Sequence, residues 1–554
     1  MNKAFKQIIV STAAVVLTTA ASVTFNVFAA WKQVGVLGDL NHDGIVNVAD
    51  AVLLTKHLLS DTPLGVGSGY DVEGKYIGIG ENKASLAEKI LDTADIDQNG
   101  VVDIYDLVIM RQQIISGNFI PVREWLAESE TTTVPTTTSS GETTTTAAKF
   151  ISPPVRDLYG SLPSQGNAEI VVFYVDFPDC TFNYLPECGE IKKMAFGEEN
   201  TKSSNYPFES MSAFYSRSSK GAMKLDGEVY RYTAKNNKAS YEGDVWHIDL
   251  VNEIISEMDE EVDFSKFDGN GDKVVDAILI NVPEAAGGDN WWPAAGQFGG
   301  DSHNRADGMD IGHVIVGNAE IISASDYKNF NSTYLHEMGH CMGLPDYYLY
   351  EVDDFQGMHG AAGFELMDDA NCDFGAASKL MLGWYTPEQV QIFGENDKSR
   401  TFKLNSSVAE NSNCIIIPRK NINNNYNSEF FIIEFSELKG NNTALKDEWR
   451  RAVGEGVRIY HVSAELTGDA FYNTFKYSSG NDEYTDNNNG RRFIRLVGEG
   501  TDDSQNFYTN GIIDGSVPEF NWYDDNGKMT IDPGITVNVE FTENVGYSIT
   551  ISRK

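Results

Sequence analysis

The chain has 554 residues, 41% hydrophobic and 22% charged, a globular composition in a length too great for one compact core, so several domains are expected. Its formal charge of −39 argues against nucleic acid and anionic membrane as partners, because both repel a polyanion, and suits a secreted protein that binds calcium. Five cysteines, Cys180, Cys188, Cys341, Cys372 and Cys414, are too sparse for a disulfide scaffold; Cys180 with Cys188 and Cys341 with Cys372 are the pairs close enough to bridge, and buried free thiols fit as well.

At the N-terminus Lys3 and Lys6 precede an apolar run from Ile8 to Leu17, and Val27-Phe28-Ala29-Ala30 offers small residues for cleavage after Ala29. Residues 1–29 read as a secretory signal peptide. A transmembrane anchor is the weaker alternative, because Thr and Ser interrupt the run and no basic cluster follows it.

Residues 36–120 contain a duplication. Asp39, Asn41, Asp43, the carbonyl of Ile45, Asn47 and Asp50 fall at positions 1, 3, 5, 7, 9 and 12 of a calcium loop, with Gly44 at the sharp turn. Asp95, Asp97, Asn99, the carbonyl of Val101, Asp103 and Asp106 repeat the pattern around Gly100. Each loop is expected to hold one calcium ion. An apolar helical run follows each, Ala51 to Leu59 and Leu107 to Ile115, and no convincing entering helix precedes either. This loop-and-exit-helix repeat resembles dockerin modules, which also carry Asp at position 12. The resemblance implies a small all-α module that docks onto cohesin domains of a cellulosome-type scaffold, with Val48, Ala49, Ile104 and Tyr105 as contact positions. An autonomous calcium-binding module is the alternative.

From 121 to 150 the chain reads as a linker, almost all Thr, Ser, Glu and Pro between Glu130 and Ala148. Such a segment buries nothing and works as a flexible tether. Residues 151–400 then read as an α/β catalytic domain. Strands are expected at Glu169 to Phe177, Val274 to Val282 and His313 to Val316, and helices at Met211 to Ser219 and Ile248 to Met258. Asp268, Asn270, Asp272 and Asp276 take positions 1, 3, 5 and 9 of a further loop, but Lys273 replaces the turn glycine; this is either a calcium site completed from elsewhere or an Asx-rich turn.

The central feature is His336-Glu337-Met338-Gly339-His340-Cys341-Met342-Gly343-Leu344-Pro345-Asp346. On a helix, residues four apart share a face, so His336 and His340 can address one zinc ion with Glu337 beside them as base. Gly343 suits a left-handed helix stop and Pro345 prevents continuation, so Asp346 returns as third ligand and the fourth position stays open for water. Glu351 and Glu365 are weaker alternatives for the third ligand. Beyond residue 400, β-type runs at Phe430 to Phe435, Val457 to Val462, Phe493 to Val497 and Ile535 to Phe541 give a β-rich, sandwich-like domain over 401–554. The whole is a multidomain α+β protein.

From Glu169 to Ser552 the chain resembles the immune inhibitor A family of secreted metallopeptidases. Beyond the zinc motif, the similar stretches are Val175-Asp176-Phe177-Pro178-Asp179, Ser212 to Gly227, Val262-Asp263-Phe264, Leu380-Met381-Leu382-Gly383-Trp384 and Gly456 to Val462. The resemblance implies a metzincin-like zinc endopeptidase, with His336, His340 and Asp346 as ligands, Glu337 as base and Met367 in a methionine turn under the metal. Some metzincins place a tyrosine two residues after that methionine; here the position is Asp369, so Tyr347, Tyr348 and Tyr385 are the candidate oxyanion donors. His461, in an apolar β context, reads as structural. Two other classes compete: a polysaccharide-degrading hydrolase using paired carboxylates, which leaves the zinc motif idle, and a non-catalytic binding protein on a peptidase fold, which the intact Glu337 disfavours. The span from Ile151 to Asn167 is a candidate mask over the cleft.

Overall fold

The computed structural model describes residues 161–554 except 243–246, 286–290, 298–304, 349–359, 369–370, 421–425, 448–453, 468–473, 479–489 and 499–506; ahead of these it describes 31–36, 51, 54, 55, 110 and 121–125. Contacts divide the chain into two units, Met1–Thr143 and Thr144–Lys554.

In the first unit, β1 (Trp31–Val36) pairs antiparallel with β2 (Pro121–Trp125), Trp31 opposite Trp125 and Val36 opposite Pro121. Residues 121–125 were expected to open the linker. Val122 and Trp125 are good strand formers and Pro121 sits at the strand start, where a missing N–H is tolerated. The ladder joins the two ends of the duplicated region. Ala51, Leu54, Thr55 and Met110 are helical, Thr55 Oγ1 donates to the Ala51 carbonyl at 2.6 Å, and Leu54 and Met110 are fully buried. All four belong to the apolar runs expected after the two loops. The loops, the contact positions 48, 49, 104 and 105, the leader and the Thr-rich stretch lie outside the described residues.

The second unit opens on a mixed sheet in the order β4-β3-β5-β8-β6. Its strands are β3 (Gly166–Asp176), β4 (Met223–Thr233), β5 (Val274–Asn281), β6 (Ala294–Gln297) and β8 (Met309–Gly317), with the two-residue β7 (Arg305–Ala306) beside β8. The first three and β8 run parallel, whereas β6 is an antiparallel edge. Parallel strands are covered on both faces, and β3 shows it by alternation. Ile170, Val172 and Tyr174 join the core built by α1 (Cys188–Phe196), α2 (Met211–Ser218) and α4 (Lys328–Cys341). Val171, Phe173 and Val175 join the core built by α3 (Ile248–Met258). The expected strands and helices lie where hydrophobic periodicity placed them, with ends shifted by a few residues. Weakly amphipathic α1 and the short edge strands had no such signal.

After α5 (Ala376–Met381) the chain is strand-rich. One sheet runs β14-β13-β12-β11-β9 and the other β10-β19-β18-β15. The first comprises β9 (Val390–Ile392), β11 (Cys414–Pro418), β12 (Glu429–Ser436), β13 (Gly456–Ser463) and β14 (Ile494–Leu496). The second comprises β10 (Ser399–Leu404), β15 (Gly511–Ile513), β18 (Ile535–Thr542) and β19 (Gly546–Arg553). A two-stranded ribbon, β16 (Trp522–Tyr523) with β17 (Met529–Ile531), completes the region. Ile415, Ile433 and Ile459 of the first sheet pack on Val537, Ile549 and Ile551 of the second, which makes a β-sandwich. The other face of the first sheet, with Ile416, Ile432 and Tyr460, belongs to the core that holds α4 and α5. The change of character near residue 400 is therefore a change of secondary structure within one packed unit.

All five cysteines are free thiols, so neither expected pairing forms. Cys341, Cys372 and Cys414 are buried, and each is ordinary apolar packing material.

Candidate metal centre

Helix α4 carries His336, Glu337 and His340 and ends as the sequence requires. Gly343 adopts φ +97°; its N–H donates to the His340 carbonyl at 2.8 Å, and the Leu344 N–H reaches back to the Gly339 carbonyl at 3.1 Å. These two bonds are the Schellman helix stop, and they reverse the chain towards its own last turn. The reversal has two results: the Leu344 carbonyl accepts the Nδ1–H of His340 at 2.8 Å, and Asp346 arrives beside both histidines. Its Oδ1 lies 3.0 Å from His336 Nε2 and 3.3 Å from His340 Nε2. The ligand atoms of the three residues all fall within 4.8 Å of one another.

His336 is oriented from elsewhere. Its Nδ1–H donates to the Leu366 carbonyl at 2.9 Å. A carbonyl only accepts, so both rings donate through Nδ1–H and turn their Nε2 atoms to one point, where the Asp346 carboxylate meets them. Burial lowers the basicity of His336, but the hydrogen bond to Asp346 and the charges of Glu337 and Asp346 lift its pKa to about 9. Burial raises Asp346 and the histidines pull it back far below the carboxylate range. The point of convergence is thus a seat for positive charge, built from two imidazoles and one carboxylate, which is a donor set that zinc accepts. Burial pushes the Glu337 carboxyl up, His336 and His340 draw it down, and Asp346 raises it again; the backbone N–H of Ala295, on β6, donates to it.

Met367 packs against α4 at Gly339, three residues on from His336. A Cβ added to Gly339 would meet its Sδ at 2.4 Å, so the residue before His340 must be glycine for the methionine to fit beneath. Of the alternative ligands, Glu365 is committed elsewhere: its carboxylate accepts from Met367 N at 2.5 Å, Ser378 Oγ at 2.5 Å and Gly375 N at 3.2 Å. Burial outweighs these bonds and raises it to about 7. Glu351 and Asp369 lie outside the described residues. Among the three tyrosines, Tyr347 pairs its hydroxyl with Ser378 Oγ at 2.7 Å in the core, and the half-buried Tyr385 turns its hydroxyl inward, on the side of Glu434 and Asp373. Tyr348 sets its ring beside His336, centroids 6.1 Å apart.

Other expected residues stand apart. In the Asp268 loop, Asp268 Oδ1 accepts from Gly271 N and Asp272 N and Oδ2 from Lys273 N. Asp272 Oδ1 accepts from Val274 N, Asp272 Oδ2 from Asn270 Nδ2, and Asp276 Oδ2 from Glu169 N and Gly269 N. These are the hydrogen bonds of an Asx turn, with Lys273 at φ +67° where a calcium loop has glycine. Residues 161–165 of the suggested mask are structural: Ser161 N and Leu162 N both donate to the Cys341 carbonyl at the end of α4, and Trp384 Nε1 donates to the Ser164 carbonyl. The supporting carbonyls of Leu344 and Leu366, and the Ala295 N–H, escape sequence reasoning because a backbone group carries no side-chain signature.

Residues 37–115 match the dockerin type I domain model, so the module is a dockerin, which implies calcium in its loops and docking to scaffold cohesins in a cellulosome-type assembly outside the cell. No curated protein matches the chain. Among solved structures, wild-type OgpA from Akkermansia muciniphila is similar at 13% identity, over 50% of this chain and 72% of that one, with a TM-score of 0.21, too loose a superposition to carry an argument. No helix among the described residues is long and apolar enough to cross a membrane.

Proposed function

We propose that this protein is a secreted zinc endopeptidase, of the metzincin-like immune inhibitor A type, delivered to its substrate by its dockerin. The observation that carries the reading is the convergence of His336 Nε2, His340 Nε2 and Asp346 Oδ1, with the Glu337 carboxyl near enough to feel the charge of all three. His336, His340 and Asp346 would hold the zinc, which when bound supplies Lewis acidity and lowers the pKa of a water within its reach. Glu337 takes the proton of the attacking water and hands it to the leaving amine nitrogen. Its environment suits the task, since burial favours the protonated form while the two histidines favour the carboxylate.

The edge strand favours a peptide over a sugar. In an antiparallel pair, the N–H and C=O of one residue point to the same side. The Ala295 N–H is near enough to Glu337 to lower its pKa, and a residue whose N–H faces the site turns its carbonyl there too. Among the described residues β6 pairs with nothing on that side. An extended peptide offers the N–H that such a carbonyl accepts, and β-strand addition places its backbone beside Glu337. Of the three tyrosines, Tyr348 is the one whose ring lies beside His336, which favours it as the donor to a developing oxyanion.

The test is made on the purified chain by measuring bound zinc and the cleavage of protein and polysaccharide substrates by wild type and Glu337→Ala. Zinc-free protein, or proteolysis untouched by the substitution, would overturn the reading. Calcium-dependent capture by a panel of cohesins tests the docking; capture by none of them favours an autonomous calcium module.

A further inference from the structure

The turn beneath the metal centre is held by one buried acid that the chemistry does not consume. Glu365 is 1% exposed, and its Oε2 accepts the N–H of Met367 while Oε1 accepts the N–H of Gly375 and the hydroxyl of Ser378. The bond to Met367 N fixes the peptide plane between Leu366 and Met367. The carbonyl of that plane, on Leu366, is the acceptor for His336 Nδ1–H. Ser378 Oγ, held by the other oxygen, bonds the hydroxyl of Tyr347 at 2.7 Å, and the Tyr347 N–H donates to the Met367 carbonyl at 2.8 Å. Tyr347 directly follows Asp346.

We propose that Glu365 is a positioning residue that sets two of the three metal ligands at once, His336 through the Leu366 carbonyl and Asp346 through Ser378 and Tyr347. The proposal rests on the zinc reading above. Both oxygens of Glu365 are used as acceptors, three donors in all, so the isosteric amide cannot replace it. In Glu365→Gln one oxygen becomes an NH2, which must face either the Met367 N–H or the Ser378 and Gly375 donors, and the turn loses that anchor. Changes to groups that orient a metal-bound histidine commonly weaken metal affinity about 10–100-fold.

The experiment uses the full chain and reads metal rather than activity. Zinc affinity is measured by chelator competition and ligand geometry by the visible spectrum of the cobalt(II)-substituted protein, for wild type, Glu365→Gln and Ser378→Ala. The expected result is a zinc affinity weakened about 10–100-fold in Glu365→Gln, with a displaced cobalt spectrum. A smaller change of the same kind is expected in Ser378→Ala, which keeps the carboxylate and cuts only the branch to Tyr347. Should Glu365→Gln fail to fold, Ser378→Ala decides alone. Wild-type affinity and an unaltered spectrum in the folded variants, whatever their melting temperature, overturn the positioning role and leave the zinc reading standing. A wild type that takes up neither zinc nor cobalt overturns both.

Discussion

Among the described residues of the unit from Thr144 to Lys554, histidine meets carboxylate at the candidate metal centre and again inside the sandwich, and the difference separates a candidate ligand set from a structural pair. In the sandwich, His461 Nε2 donates to Glu429 Oε1 at 2.8 Å. Glu429 also receives Tyr523 N, Arg419 and Arg491. Its surplus of donors matches its negative charge, and those partners, above all the His461 hydrogen bond, hold it at about 2 against the upward push of burial. The metal centre is arranged differently. Two Nε2 atoms converge on one carboxylate oxygen, with each Nδ1–H given to a carbonyl. Histidine beside carboxylate is common to both; two imidazoles turned on the same oxygen are what make a set that a cation can occupy.

The comparison breaks most sharply by substitution of each histidine. His340→Ala is expected to remove bound zinc and take proteolysis below detection, while His461→Leu leaves zinc stoichiometry at wild type; metal analysis beside a fluorogenic peptide assay checks both. The sandwich variant should instead lose stability, by about 1–3 kcal/mol for the donor removed from a buried carboxylate, read as a lower melting temperature. Smaller is Tyr348→Phe, which removes a hydroxyl and no ligand. An expected fall of about 10²-fold in kcat with KM and zinc content retained matches the loss of one oxyanion donor, and an unchanged kcat would return the role to another group. The smallest effect is one of pH. The carboxyl of Glu429 is depressed in the folded chain, so its contribution is present above its ordinary value of 4.5 and is lost as pH falls towards about 2. Glu429→Gln should therefore flatten the acid limb of the stability curve over that window, whereas Glu365→Gln should not.

What was legible in the sequence follows the same division. Spacing identified His336, Glu337 and His340, because helical periodicity alone aligns them, and Gly343 with Pro345 announced the reversal that delivers Asp346. The alternating core of β3 and the β-runs after residue 400 were legible because burial writes a period into side chains. What remained hidden was everything done by the backbone: the carbonyls of Leu344 and Leu366, the N–H of Ala295, the β1–β2 ladder. Glu365 was hidden differently, since an isolated glutamate near a zinc motif looks the same as ligand or as support until its donors are seen. The shared core of the strand-rich region with α4 also leaves no local trace, for contacts so distant in sequence have no period.

That shared core governs when the site can exist. The Leu496 N–H donates to the Gly360 carbonyl and the Gly360 N–H to the Tyr347 carbonyl, while the Phe493 ring packs on Tyr347 at 5.2 Å. Strand β14 thus props the residue beside Asp346 although it leaves the ribosome long after α4. A growing chain that has displayed the whole zinc motif still lacks the wall behind its third ligand. A chain ended before Ile494 is accordingly expected to hold no zinc and, on the function proposed above, to show no proteolysis, which metal analysis of the truncated chain checks.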